Sequence, residues 1–255
     1  MLELAKNELE TVRFLCSGIS NTVLFASIEG NIGRAWIDSK KEPTYSVIVA
    51  GDFAFLLGSV EALKEVDVPL RFVLEECRGK IIITNEFSWI SLLSQHYSDS
   101  FQKFNRYSFK KEPTFQIEQL KENIKMIDTA FKIVPIDEHI YPMVLQDPFM
   151  ADCCCFFSSL EEFMEHGIGF VILKDNQIIT GASSYTYHEG CIEVTIGTHP
   201  LYRRQGLALA CASRLILECL SRNIHPNWEA ANLESVALAE KLGYKLEKEY
   251  EVYSI

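Results

Sequence analysis

Apolar positions recur along this chain at two rhythms, and the rhythms divide it into elements. Over residues 1–18, Leu2, Leu4, Ala5, Leu9, Val12 and Leu15 fall at spacings that predict an amphipathic helix ending near Gly18. "RAWID", "TYSVIVA" and "DFAFLLG" then read as short strands, the last two hinged on Gly51-Asp52. A helix over "SVEALKEV" (59–66), a strand "KIIIT", a helix "SWISLLSQHY" and a strand "FNRYSFK" complete a first half without a motif that carries chemistry. Its Trp36, Phe53, Phe55 and Trp89 read as core. The stretch "KKEPTFQIEQLKENIK" (110–125) is charged, contains Pro113 and then turns helical, so it reads as a linker, with the boundary at 115–130. The expected division is an N-terminal α+β domain over 1–120 and a second domain over 131–255.

The second half is more regular. "FKIVPI" predicts a strand, and "SSLEEFMEHG" a helix capped by Ser158, with Glu161 three residues on and Gly167 as its stop. "GFVILKD", "QIITGASSYTYH" and "CIEVTIGTH", joined by the turns Asp175-Asn176 and Glu189-Gly190, predict an antiparallel meander. A helix follows from Gly206 to near Arg222. Ala208, Cys211, Ala212, Leu215, Ile216 and Cys219 form its apolar stripe, and Arg214, Glu218 and Arg222 fall four apart on the other side. A strand "PNWEA", a helix Asn232–Leu242 and a strand region "YKLEKEYEVYSI" end the chain.

At 255 residues, 48% hydrophobic and 23% charged, the chain can bury the core of two domains. A net charge of -11 opposes nucleic acid and anionic membranes as partners and suits a cationic small substrate, although solubility alone accounts for acidity of this size. "MLELAKNELETVRF" is too densely charged for a secretory signal, and no apolar run reaches bilayer length, so a cytoplasmic protein is expected. The eight cysteines, with Cys153, Cys154 and Cys155 consecutive, suggest no disulfide framework. No CxxC or His pair completes a metal site beside them, so no metal is expected and the three read as small buried residues.

The chemistry concentrates in "THPLYRRQGLALA" (198–210), where a strand gives way to a helix through two arginines and a glycine. A helix N-terminus presents unpaired N–H groups and a partial positive charge. Glycine there lets the backbone approach a bulky phosphate. "RRQGLA" thus reads as a pyrophosphate cradle, though so short a pattern also suits a solvated turn. Neither G-x-G-x-x-G nor G-x-x-x-x-G-K-[ST] occurs in the chain.

"EVTIGTHPLYRRQGLA", followed by "PNWEAANLESVALAEKLGY", resembles the GCN5-related N-acetyltransferase (GNAT) superfamily. Its signature [RQ]-x-x-G-x-[GA] is met by Arg203, Gly206 and Ala208, over a match of residues 131–255. "GASSYTYHEGCIEVTIGTH" with "LILECLSRNIHPNWEAAN" is similar, more narrowly, to the zwittermicin A resistance-type acetyltransferases, over most of the chain. The resemblance implies an α+β fold with a central, mostly antiparallel, splayed sheet flanked by helices. It implies acetyl-CoA as cosubstrate, entering between "CIEVTIGTH" and "PNWEA". Ile196, Gly197 and Thr198 would face pantetheine, Arg203, Arg204, Gln205, Gly206, Leu207 and Ala208 the pyrophosphate, and Asn232 both caps its helix and reaches the pantetheine arm. The first domain would be a degenerate copy of the same fold.

Acetyl transfer to an amine needs a neutral nucleophile and a polarised carbonyl. Glu193 is the first candidate base, because similar enzymes place a Glu on this strand; the alternative is a solvated acid alternating with Ile192 and Val194. Thr195 shares its face. His199 is the second candidate base, and a main-chain N–H near 196–198 the polarising donor. Many members carry a tyrosine four residues before the Gly of "KLGY" to protonate the leaving thiolate; here that residue is Ala239, which leaves Tyr244, Tyr185 or no side chain for the task. The expected acceptor is a primary amine of a small molecule, an antibiotic or metabolite. The competing readings are a catalytically weak acyl-CoA sensor and a protein that keeps the fold without the ligand. Monomer and homodimer both stay open.

Overall fold

A computed structural model describes residues 1–63 and 65–255, which form two compact units: residues 1–106 with 250–255, and residues 107–249. The first half of the chain builds β1 (Leu2–Glu3), a 3₁₀ helix (Lys6–Cys16), α1 (Thr22–Ile28), β2 (Arg34–Ile37), β3 (Tyr45–Ala50), β4 (Phe53–Gly58), α2 (Asp67–Cys77), β5 (Ile81–Ile83), α3 (Phe87–His96) and β6 (Gln102–Phe109). The second builds α4 (Ile117–Lys125), β7 (Lys132–Pro135), α5 (Tyr141–Gln146), α6 (Leu160–His166), β8 (Gly169–Lys174), β9 (Gln177–His188), β10 (Cys191–Thr198), α7 (Leu207–Ser221), β11 (His225–Asn227), β12 (Glu229–Ala230), α8 (Leu233–Leu242) and β13 (Leu246–Ser254). No helix among the described residues is long and apolar enough to cross a membrane.

In the second unit the sheet order is β11-β10-β9-β8-β7, antiparallel except for the parallel pair β10–β11. The meander forms because both turns admit left-handed backbone: Asp175 and Asn176 at φ 50° and 61°, Glu189 and Gly190 at φ 37° and 73°. Two successive residues at positive φ match the twist of the strands they join. One face of this sheet packs Ile192 and Val194 against the stripe of α7, where Cys211, Ala212, Leu215, Ile216 and Cys219 are all fully buried. On the outer side of α7, Glu218 takes hydrogen bonds from Arg214 (3.0 Å) and Arg222 (2.9 Å), the spacing read from the sequence. The mostly antiparallel, helix-flanked α+β sheet expected from the resemblance is the arrangement found.

In the first unit the order is β1-β2-β3-β4-β5-β13-β6, with β4–β5 parallel. The C-terminal strand completes it: Tyr253 pairs with Ile82, and Tyr253 and Ile255 lie in the same core as Val47, Leu56 and Trp89. The expected division at 115–130 therefore shifts. Residues 250–255 belong with the first unit, and 107–120 with the second, because Leu120 of α4 is buried in the core built on α7. The stretch read as a linker is largely a packed helix, with Asn123 donating to Ser213 of α7 at 3.1 Å.

Local differences have local causes. The N-terminal helix is 3₁₀, preceded by a two-residue strand; its buried Leu9, Val12 and Cys16 are three or four apart, a spacing both helix types satisfy. The helix expected over 59–66 is absent from the described residues of that span, residue 64 lying outside them. It begins instead at Asp67, because Pro69 is tolerated only in a first turn. The helix α1 shows no amphipathic period since six of its residues, Thr22, Val23, Leu24, Ala26, Ser27 and Ile28, are buried and no polar face marks it; its local signal is the Asn21 cap. Ser159, not Ser158, caps α6 by accepting from Glu162 N; Ser158 instead donates to the Glu162 carboxylate. Finally, "PNWEA" is not one strand. It breaks at Trp228 into β11 beside β10 and β12 beside β6, and the buried indole donates to Ser235 Oγ at 3.1 Å.

Candidate functional site

The site is built where two strands part. Cys191, Ile192 and Glu193 of β10 pair with His225, Pro226 and Asn227 of β11, and there β11 ends. β10 continues to Thr198 with β9 on one edge and no strand among the described residues on the other. At the parting, between Glu193 and Val194, the register with β9 slips by one residue, leaving Tyr185 as the extra residue of a bulge. A strand edge left open in this way offers its N–H and C=O groups to an extended ligand.

Beyond Thr198 the chain makes a 3₁₀ turn, Pro200–Tyr202, and enters α7 through Arg203–Gly206. Arg204 (φ 64°) and Gly206 (φ 79°) are left-handed, which aims successive N–H groups into one concavity. Gly206 is the N-cap of α7 and has no side chain to cap it. The N–H groups from Arg204 to Ala208 find no acceptor among the described residues. Nothing lies within 4 Å of where a Gly206 Cβ would be, so the concavity is open, and Arg203 and Arg204 stand exposed beside it. Arg203 Nε reaches the Thr198 carbonyl at 3.4 Å. Unpaired N–H groups, a helix N-terminus and two guanidinium groups fit a pyrophosphate.

Glu193 is not a solvated strand acid: it is 6% exposed and accepts a hydrogen bond from Asn227 Nδ2 at 2.6 Å. It shares its face with Thr195 and Gly197, while Ile192, Val194 and Ile196 turn to the α7 side. Gly197 and its cross-strand partner Gly181 have a second task. A Cβ on Gly197 would meet the Phe149 carbonyl at 2.9 Å, and one on Gly181 would meet Cys153 Sγ at 2.9 Å, so the pair seats the segment 149–153 flat on the sheet. His199 lies six residues beyond Glu193, roughly 20 Å away along an extended strand. Its ring packs on Phe149 (centroids 5.0 Å apart) and Tyr202 (6.0 Å), and its Nδ1 is buried without a partner among the described residues. The structure thus separates the two candidate bases: Glu193 at the parting of the strands, His199 at the cradle end.

The thiolate's proton donor is narrowed too. Tyr244 is wholly buried among Phe109, Phe115 and Trp228 and donates to the Pro226 carbonyl at 2.7 Å; burial raises its pKa well above 10, so its proton is committed. Ala239 is fully buried in the α8 core, and Tyr185 packs against Phe156 at 4.3 Å between centroids. Of the three consecutive cysteines, Cys153 and Cys154 are buried as expected but Cys155 is exposed; burial pushes the Cys153 thiol up to about 12, so it is no nucleophile.

Asn232 accepts from Ser235 N at 2.9 Å, a side-chain N-cap on α8. Asn232→Ala is expected to lower unfolding stability by about 1 kcal/mol in urea denaturation. A second expectation concerns His225, whose pKa burial, then Lys111, lowers below 6.5. The unfolded chain therefore binds the proton more readily. Stability should be intact above 6.5 and fall as pH drops through that value toward the folded pKa. His225→Gln should flatten this part of the melting-temperature profile.

Sequence reasoning missed Asn227, which carries no motif, and the 149–153 segment, whose seat is visible only in the glycine pair. The remaining expected residues lie along one line: Ile196, Gly197 and Thr198 on the open edge, then Arg203 to Ala208 around the cradle.

Comparison with known proteins agrees with the fold. A crystal structure of a GCN5-related N-acetyltransferase-like protein from Streptococcus suis 89/1591 superposes with a TM-score of 0.88 at 32% identity, covering 97% of this chain and 98% of that one. The protein named uncharacterized N-acetyltransferase YdfB of Bacillus subtilis (strain 168) is 27% identical over 185 residues, 68% of this chain but only 64% of that protein's length. A tandem GNAT protein from the clavulanic acid biosynthesis pathway, at 9% identity and TM-score 0.60, shares the fold alone. The family model described as GNAT acetyltransferase matches residues 13–253, and the chain belongs to that family.

Proposed function

We propose that the protein transfers an acetyl group from acetyl-CoA to a primary amine of a small molecule. The observation that carries this reading is the open edge of β10, running from a cradle of unpaired N–H groups to a buried carboxylate at the strand parting. Bound acetyl-CoA supplies the activated acyl group. The chain's own residues do the rest. Arg204 to Ala208 bind the pyrophosphate through their N–H groups, and 196–198 hold pantetheine along the strand. Glu193, at the far end of that line, takes a proton from the acceptor ammonium, leaving the neutral amine to attack the thioester carbonyl. His199, at the phosphate end, is too far from the reacting end for that task. A net charge of -11 suits a cationic amine, and the narrower resemblance points to an antibiotic or metabolite, with the protein acting in the cytoplasm.

The test is thiol release from acetyl-CoA over a panel of primary amines. Release that depends on one amine class supports the enzyme. Binding without release supports the second reading, an acyl-CoA sensor, which the buried Ala239 and the committed Tyr244 favour.

The first unit repeats the layout without the site. Its meander β2–β3–β4, helix α2, parallel β5 and helix α3 follow the same order as β8–β9–β10, α7, β11 and α8. Its parting is filled: Trp89, fully buried, donates to the Gly58 carbonyl at 2.9 Å, and the loop after β4 carries Glu61 and Glu65 in place of arginines. One acetyl-CoA per chain is the stoichiometry this reading requires.

A further inference from the structure

We infer that Asn227 is a positioning residue for Glu193, fixing the carboxylate at the parting of the strands; this rests on the reading of Glu193 as base. Partner residues in a parallel pair point to the same face, and Asn227 is the register partner of Glu193 in the last pair before β11 ends. Its amide donates to Glu193 Oε2 at 2.6 Å, short enough for a charge-assisted bond. Asn227 is itself held, since the carbonyl of the preceding Pro226 accepts a 2.7 Å hydrogen bond from the Tyr244 hydroxyl. A chain of contacts from the core, Tyr244 to Pro226–Asn227 to Glu193, thereby sets where the carboxylate points.

The first unit shows that the fold does not need this pair. Its parallel strands pair over three residues in the same order, and the third pair there is Phe55 with Ile83, both buried and apolar. A buried carboxylate and amide cost desolvation that Phe and Ile do not. The polar pair stands in the unit with the open edge and the cradle, the apolar one in the unit where Trp89 fills the parting. Tertiary packing accounts for one, and placing a proton acceptor accounts for the other.

The experiment compares wild type, Asn227→Ala, Glu193→Gln and the double variant. Thiol release is read with the fastest amine of the panel, or as acetyl-CoA hydrolysis if no amine accelerates it, alongside crystal structures of the ligand-free single variants. Asn227→Ala is expected to lower kcat by about tenfold, the scale of one lost hydrogen bond to a charged group, with KM for acetyl-CoA unchanged. It should add no further loss in the Glu193→Gln background. Its ligand-free structure should show the Glu193 side chain displaced on an unchanged sheet. Asn227→Gln, which keeps a donor, should recover part of the rate; it also serves if the alanine variant does not fold. An unchanged kcat, an equal loss in both backgrounds, or an undisturbed Glu193 would overturn the inference. If Glu193→Gln alone keeps the wild-type rate, the reading of the base itself fails, and that outcome is separate.

Discussion

Glu193→Gln is expected to lower turnover by about 100-fold at neutral pH while leaving acetyl-CoA affinity unchanged. Glutamine keeps the volume and still meets the Asn227 amide through its carbonyl, so β10 and β11 should stay paired as they are. What is lost is the ability to take a proton. On the proposed reading the cofactor is held elsewhere, by the N–H groups of 204–208 and by the open edge beyond Val194, so its affinity should not respond. An alkyl amine with a pKa of about 10 is almost wholly protonated at pH 7. Each unit of pH raised toward that value delivers about tenfold more neutral amine, so the variant's rate should climb with pH and partly recover. Rate against pH for both proteins is the measurement. A variant as fast as wild type would make Glu193 a buried structural acid, and lost acetyl-CoA binding would make it part of the scaffold. His199→Gln, measured beside it, should show no defect that pH relieves.

Gly206→Asp should fold and fail to bind acetyl-CoA, with affinity lower by about 100-fold or more in calorimetry. Aspartate tolerates left-handed backbone better than most residues, so the helix start at φ 79° is kept at a modest cost in strain. Its carboxylate, beside the N–H groups proposed to take the ligand, would meet the pyrophosphate with like charge, a penalty of several kcal/mol. Gly206→Ala is the control. It leaves the N–H groups free and meets no neighbour, so it pays only the left-handed strain of about 1–2 kcal/mol. Wild type should bind one equivalent per chain. If the aspartate variant still binds one equivalent, the cradle is elsewhere; a second equivalent in wild type would mean that Trp89 does not close the first unit.

Much of the second unit could be read from residues in order. The meander is announced by strands separated by two residues that accept positive φ, the helix α7 by a stripe and three charges four apart, and α8 by an asparagine before it and a glycine after it. These signals are local: a turn or a cap needs only its own residues. The open helix mouth before α7 was legible for the same reason, since a glycine between a strand and a helix leaves the first N–H groups of that helix without a side-chain cap. By contrast α1, buried on nearly every side, shows no period, and the start of α2 depended on a proline whose effect outweighs the amphipathic pattern before it.

The sequence by itself determined the meander, α7 and α8 of the second unit and the open helix mouth before α7, because hydrogen bonds between near neighbours and the period of burial act over a few residues. Only the tertiary structure decided the rest. It buried Glu193 and set Asn227 against it across 34 residues of chain. It removed Tyr244 from service by pairing it with Pro226, and carried the last strand into the first unit's sheet. Each of these is a contact between segments remote in sequence. Which remote segments meet is settled by packing the whole core at once, and no single stretch of residues contains that information.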